Sequence, residues 1–195
     1  YVWMEGTFED YPTALRHVSF NLVSIGLSSG FVSQDYEKWP VFAPLWMMFL
    51  ANITCSSGST GGGIKMIRTL ILAKQANREL TRLVHPAVVN PVKVGGSAIP
   101  NNVVIAVLGF IFLYFMSVVM LTFVLILSGL DFISALGAVV GSITNAGPGL
   151  GVVGPSTNYA VLTDFQTWVC TFTMLLGRLE VLSLAVVFTP QFWRK

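Results

Sequence analysis

Two stretches of this 195-residue chain hold the residues best suited to chemistry, and their reactive group is backbone oxygen. The first is Ser24-Ile25-Gly26-Leu27-Ser28-Ser29-Gly30-Phe31; the second is Ser142-Ile143-Thr144-Asn145-Ala146-Gly147-Pro148-Gly149. Both consist largely of glycine and small residues, which let carbonyl groups turn toward a space that bulky side chains would fill. Each follows an apolar run too short to cross a bilayer and precedes a longer one. Non-helical backbone at membrane depth is tolerated only where protein buries it or where it lines a water-filled path. Two such loops in one apolar chain point to a pore lined by carbonyl oxygens. The sequence shows no catalytic dyad or metal cluster, so no covalent chemistry is implied.

The surrounding composition is that of a membrane protein. Hydrophobic residues make up 54% of the chain and charged residues 10%, with a mean hydropathy of +0.73. A soluble domain carries about 25% charged residues. A net charge of +2 gives no indication of nucleic-acid binding. Cys55 and Cys170 lie inside apolar runs and read as small hydrophobes rather than a disulfide framework. The opening Tyr1-Val2-Trp3-Met4-Glu5 lacks the basic and apolar regions of a signal peptide. The chain is expected to be a piece of a longer polypeptide.

Tyr11-Pro12 is a plausible helix start, and Thr13 to Ile25 is an apolar segment interrupted by Arg16, His17 and Asn21. At about 1.5 Å per residue it reaches ~20 Å, short of the ~30 Å hydrocarbon core. A re-entrant half-helix is expected, with an interfacial amphipathic helix as the alternative. After the polar Val32–Lys38 stretch, Trp39-Pro40 opens a long apolar helix that breaks at Thr54-Cys55-Ser56-Ser57-Gly58-Ser59-Thr60-Gly61-Gly62-Gly63. Three consecutive glycines cost a helix about 1 kcal/mol each relative to alanine. The apolar pattern resumes at Ile64, now with Lys65, Arg68 and Lys74. This reads as one membrane helix broken at mid-depth; an ordinary glycine-rich cytosolic loop is the alternative. A phosphate-loop match fails, because Ile64 separates the last glycine from Lys65 and no strand precedes it. Asn52-Ile53-Thr54 fits a glycosylation pattern but lies in an apolar run.

Residues 74–102 are hydrophilic and read as a loop or short hairpin. Val103 to Leu127 is an almost uninterrupted apolar run, a transmembrane helix. A second short segment, Phe132 to Gly141, leads into the second loop. Asp164 to Pro190 is expected to be a last spanning helix, and Phe192-Trp193-Arg194-Lys195 an aromatic and basic anchor. The order half-helix, glycine loop, spanning helix thus occurs twice, with Gly30 and Gly147 in corresponding places. The first copy lacks a leading helix, which is expected before Tyr1.

Eight of the eleven Lys and Arg residues (Lys65, Arg68, Lys74, Arg78, Arg82, Lys93, Arg194, Lys195) follow the broken helix or the last helix. The positive-inside rule puts both segments in the cytosol. Seven of the nine acids (Glu5, Glu9, Asp10, Asp35, Glu37, Asp131, Asp164) flank the half-helices on the other side, where their field would gather cations. Half-helices descending from that side aim the negative ends of their dipoles at the membrane centre. The acidic mouth, the inward-pointing negative dipoles and the carbonyl-lined loops all favour a cation.

The four segments Leu22–Phe31, Ser57–Lys65, Thr144–Gly151 and Leu175-Leu176-Gly177-Arg178-Leu179-Glu180 together resemble TrkH-type potassium-uptake proteins of the Trk/Ktr/HKT superfamily, across nearly the whole chain. The resemblance implies an all-α membrane protein with repeated M1–P–M2 units (helix, re-entrant pore half-helix with filter loop, helix) of a K+-channel-like pore. Residues 1–93 would be a third unit lacking its M1: pore helix 13–25, filter 26–31, broken M2 39–75, cytosolic segment 76–93. Residues 94–195 would be a fourth: M1 103–128, pore helix 132–142, filter 143–149, M2 164–190. The remaining two units would lie N-terminal to this chain. The implied filter is the backbone carbonyls of Leu27, Ser28, Ser29 and Gly30 and of Thr144, Asn145, Ala146 and Gly147, holding transported K+. Carbonyls replace an alkali ion's water shell without holding it too tightly to leave. Ser28 and Ser29 stand where the family often has Thr, which bears on fine selectivity more than on ion class. Thr54–Lys65 resembles the family's intramembrane gating loop, with Gly61, Gly62, Gly63, Lys65 and Arg178 as gating residues. Also implied are a bacterial inner-membrane location, a homodimer, and a cytosolic nucleotide-binding regulatory ring (TrkA-type) docking on the basic face around Lys74 to Lys93.

Arg178 stands out on physical grounds as well. An isolated Arg at mid-bilayer costs at least ~2.5–3.5 kcal/mol, so it is expected to face the pore or another polar group. Glu180, two residues on, points to a different helix face. The carbonyls of Thr54 to Gly62 are the expected partners, holding the loop closed; a helix-packing Arg paired with an acid elsewhere is the alternative. A Na+-permeable or ion-coupled relative, and a non-conducting membrane scaffold subunit, remain the competing functions. A water or glycerol channel would need an Asn-Pro-Ala pair, which is absent.

Overall fold

The computed structural model describes residues 1–59, 61–180, 183, 186 and 189–193. It is mainly helical: α1 (Tyr11–Gly26), α2 (Phe42–Ile53), α3 (Met66–Val84), α4 (Asn101–Leu127), α5 (Phe132–Ile143) and α6 (Asp164–Leu179). A short hairpin, β1 (Lys93–Val94) with β2 (Ser97–Ala98), joins α3 to α4, and a final turn of helix spans Pro190–Trp193. Among the described residues, α4 is long and apolar enough to cross a membrane, and α2 and α5 are shorter apolar helices.

Local chemistry sets the starts of the short helices. The Asp10 carboxylate accepts the Thr13 N–H at 3.2 Å to cap α1, and Asp131 accepts the Ser134 N–H at 3.1 Å to cap α5. Thr163 and Gln166 form a reciprocal capping box at α6. Hydrogen bonds from Ser134, through its side chain first and its backbone second, hold the Asp131 carboxyl below its ordinary range. A lowered carboxylate stabilises the fold fully above its unfolded value and loses that contribution as pH falls through its folded one. Asp131→Ala is therefore expected to cost about 1 kcal/mol at neutral pH. Thermal melts at descending pH should show the variant and wild type converging in acid.

α5 is the buried centre. Its Ala135, Ala138, Val139 and Ile143 are 0% exposed, packed between α4 and α6 with Leu125, Val153 and Cys170. The small residues on α5 let the neighbouring backbones come close, as membrane helices require. A second cluster joins α3 to α4 through Ile71, Val104, Val107, Phe110 and Tyr114, and reaches Ile143 and Leu176. A third joins α1 to α2 through Ala14, Ile25, Trp39, Met47 and Ala51. The opposite face of α4 is apolar and uncovered: Ile105, Phe112, Phe115, Met120 and Phe123 are each 56–67% exposed. Water would penalise such a face, whereas lipid would not.

Two extents differ from the sequence expectation. α3 continues to Val84, past the expected end at residue 75, so residues 76–84 of the expected cytosolic segment are helical. Hydropathy misreads this stretch because pairs one turn apart support it: Gln75 donates to Glu79 at 2.8 Å, and Arg82 approaches Glu79 at 3.5 Å. In the expected helix 164–190, α6 stops at Leu179 and Glu180 takes a φ of 62°. Much of the remainder of that range lies outside the described residues, as do Thr60 in the gating segment and Arg194 and Lys195 in the anchor.

Candidate functional site

Both glycine loops begin where a half-helix ends. After α1, Ser28 and Gly30 take φ values of 56° and 77°; after α5, Asn145 and Gly147 take 56° and 96°. The two pairs occupy matching places in their loops, so the same left-handed turns recur although one is built on Ser and the other on Asn. The shared feature is the path of the backbone.

Each loop is tied back to its own half-helix. Ser24 Oγ donates to the Phe31 carbonyl at 2.6 Å and lies 3.0 Å from Ser29 Oγ. Asn21, fully buried, accepts the Ser33 N–H at 3.2 Å and donates to Ser33 Oγ at 2.9 Å. In the second loop, Gly147 N–H donates to the Gly141 carbonyl at 3.1 Å, and Asn145 Nδ2 donates to the Met174 carbonyl at 3.4 Å. The Tyr159 hydroxyl donates to the Gly147 carbonyl at 2.8 Å. Burial pushes that phenol up to about 12, so it stays a donor across the physiological range.

The loops lie side by side. A Cβ added to Gly30 would overlap the Ala146 carbonyl oxygen and sit 3.6 Å from the Pro148 ring. Behind them, Tyr36 donates to the Gly149 carbonyl at 3.5 Å, and the Glu37 carboxylate accepts the Gly151 N–H at 2.5 Å. Their surroundings differ: Leu27 is 64% exposed, whereas Thr144 is fully buried and Ala146 nearly so. Among the described residues, the Thr144 and Gly147 carbonyls each accept one donor, from Gly62 and Tyr159.

The segment between α2 and α3 forms a closed loop that touches both. Its base is fastened by Ile64 N–H to the Asn52 carbonyl at 2.7 Å and by Met66 N–H to the Cys55 carbonyl at 2.9 Å. The Tyr114 hydroxyl hydrogen-bonds Asn52 Oδ1, anchoring the base to α4. Thr54 Oγ1 donates to the Gly26 carbonyl at 2.5 Å, where α1 passes into the first glycine loop. Gly62 N–H donates to the Thr144 carbonyl at 3.2 Å, inside the second. Gly62 and Gly63 are buried and Gly61 is half-buried beside Cys55 Sγ, while Ser56, Ser57 and Gly58 are exposed.

Lys65 and Arg178 lie in different settings. Lys65, just before α3, has a φ of 69° and pairs with Glu180 at 2.9 Å, and Arg68 pairs with the same carboxylate at 2.6 Å. Arg178, in the last turn of α6, is exposed and lines an open hollow with Asn145, Met174 and Trp168. Sequence reasoning set Glu180 aside and gave Arg68 no role beyond its positive charge. The available signal was complementarity: lone charges beside two breaks in apolar segments need partners.

The profile of the TrkH family, described as a cation transport protein, matches residues 4–195. The Trk system potassium uptake protein TrkH of Salmonella typhimurium is 41% identical over 194 residues, covering all of this chain and 40% of that protein. The protein of the same name from Vibrio parahaemolyticus is 45% identical over 181 residues, covering 93% of this chain and 37% of that one. The crystal structure of the potassium transporter TrkH from Vibrio parahaemolyticus superposes with a TM-score of 0.91 at 41% identity, covering 99% of this chain and 41% of that one. The chain therefore spans about 40% of the length of the curated relatives it matches. With a profile match over nearly its whole length and a shared fold, the chain belongs to the TrkH family of cation transport proteins.

Proposed function

We propose that this chain supplies two adjacent quarters of a potassium-conducting pore in a bacterial plasma membrane. α1 and α5 act as pore half-helices; α2 with α3 forms the broken M2 of one unit, and α4 and α6 are the M1 and M2 of the next. The carbonyls of Leu27, Ser28, Ser29 and Gly30 and of Thr144, Asn145, Ala146 and Gly147 coordinate K+ as it passes. The 54–65 loop, with Gly61, Gly62, Gly63 and Lys65, gates the path, and Arg178 steadies the closed state. Two further units N-terminal to this chain complete the ring. The assembled protein pairs as a homodimer and takes a cytosolic nucleotide-binding ring on the basic face from Lys74 to Lys93. One observation carries the reading: two loops with the same left-handed turns meet where Gly30 faces the Ala146 carbonyl. The names of the relatives, potassium uptake proteins, supply the ion.

The test is rubidium uptake by vesicles holding the complete polypeptide, with K+ or Na+ as competitor. K+ is expected to suppress uptake at concentrations where Na+ does not. Equal suppression by Na+ would overturn the potassium assignment in favour of a sodium-permeable relative. Absence of uptake would favour a non-conducting scaffold.

A further inference from the structure

We propose that Glu180 is a positioning residue for the 54–65 loop, clasping Lys65 at the loop's base so that the loop stays seated against the second glycine loop. The inference rests on the pore reading above and adds a residue to its gate. Lys65 and Glu180 are both in the left-handed region, at φ 69° and 62°, although neither is glycine or asparagine. Such a backbone state in a long side chain persists only where its surroundings over-determine it. Here each residue stands at the edge of a helix, Lys65 just before α3 and Glu180 just after α6, and the two side chains meet at 2.9 Å.

The clasp has two arms, one braced against α4 and one at the loop base. Arg68 reaches the other oxygen of Glu180 at 2.6 Å while its guanidinium lies 4.0 Å from the centre of the Phe110 ring on α4. Arg68 is thus held by α4 and keeps the carboxylate in place. Lys65 sits between Ile64 and Met66, the two residues whose N–H groups fasten the loop base, and its carbonyl accepts the Arg68 N–H at 3.2 Å, so it joins that base to the first turn of α3. A displacement of the loop that loosens this base carries Lys65 with it and stretches its bond to Glu180. The side chains are only 11%, 21% and 32% exposed for Lys65, Arg68 and Glu180, so water screens the pairs less than it does surface ion pairs. The same loop makes its second attachment through Gly62 N–H to the Thr144 carbonyl. Both acceptors, Thr144 and Glu180, follow the ends of adjoining helices, α5 and α6. The loop is therefore held at two points by one rigid pair.

The experiment compares rubidium uptake by the complete polypeptide as wild type, Glu180→Gln, Lys65→Met and the double variant, with Glu180→Asp as the conservative control. Either single change is expected to raise basal uptake at least about fivefold, in the range of ordinary conformational couplings. The double variant should do no more than Glu180→Gln alone, because Lys65→Met removes a contact that Glu180→Gln already breaks. Glu180→Asp, which keeps the charge, should return uptake toward wild type. Unchanged uptake in the single variants, or additive effects in the double, would overturn the clasp while leaving the pore reading intact. If Glu180→Gln does not fold, Lys65→Met decides alone, and unchanged uptake there overturns the proposal. A wild type that carries no ion would overturn both the pore and the clasp.

Discussion

Gly30→Ala is expected to destroy discrimination between K+ and Na+ while leaving the protein folded. Gly30 holds a φ of 77°, and its missing Cβ is the space occupied by the Ala146 carbonyl oxygen. A side chain there has two unfavourable options. It can keep the left-handed turn, at about 1–2 kcal/mol, and push the Ala146 carbonyl away. Alternatively, it can relax the turn and withdraw the carbonyls of Ser28, Ser29 and Gly30 from their positions. Either way the oxygens of adjacent loops lose their mutual spacing. If selectivity follows the geometry of those oxygens, a perturbation of about 1.4 kcal/mol alters an ion preference roughly tenfold. Competition of K+ and Na+ against rubidium uptake would read this directly, with a retained melting temperature showing that the fold survives. Gly147, at a φ of 96° but with no atom within 4 Å of an added Cβ, should tolerate alanine better.

Gly177→Val is expected to have the largest effect on stability. Gly177 brings α6 against the end of α5, where an added Cβ would overlap the Ile143 carbonyl and come within 2.9 Å of Asn145 Nδ2. Gly62 of the 54–65 loop approaches the same carbonyl, so this oxygen is enclosed by two glycines from different segments. Neither backbone can yield without opening the contact of α5 with α6 or lifting Gly62 off the Thr144 carbonyl. Overpacking of a tight core costs about 1–3 kcal/mol and sometimes more. Here it would also unseat the loop, so a lowered melting temperature and altered basal uptake should appear together. Gly109 on α4, with open space around it, is the control: Gly109→Ala should leave both unchanged.

The two loops were legible in the sequence because glycine and small residues between apolar runs announce a backbone that leaves the helix. Two short helices were legible in Thr13–Ile25 and Phe132–Gly141; the structure runs them from Tyr11 to Gly26 and from Phe132 to Ile143. The long run from Val103 to Leu127 lies within α4. What escaped was whatever depends on distant pairing. The stop of α6 at Leu179 has no glycine or proline just after it to mark it, and Gly177-Arg178-Leu179-Glu180 reads as continuing helix. Glu180, just past that stop, pairs with Lys65 and Arg68, residues far away along the chain. The Gly62–Thr144 bond was hidden for the same reason. Backbone-to-backbone contacts between loops leave no side-chain pattern to read. Residues 76–84 were missed because a polar helix held by Glu79 and its neighbours looks like a loop to any hydropathy measure.

The claim beneath all of this is that the two glycine loops present their carbonyl oxygens to one cation on a shared axis. An ion-resolved map of the complete polypeptide, recorded in potassium and again in sodium, tests it most directly. The account predicts density flanked by the backbone at Gly30 and Gly147 in potassium, and its loss or displacement in sodium. A potassium map with no density there, or with side chains filling the space between those loops, would contradict it.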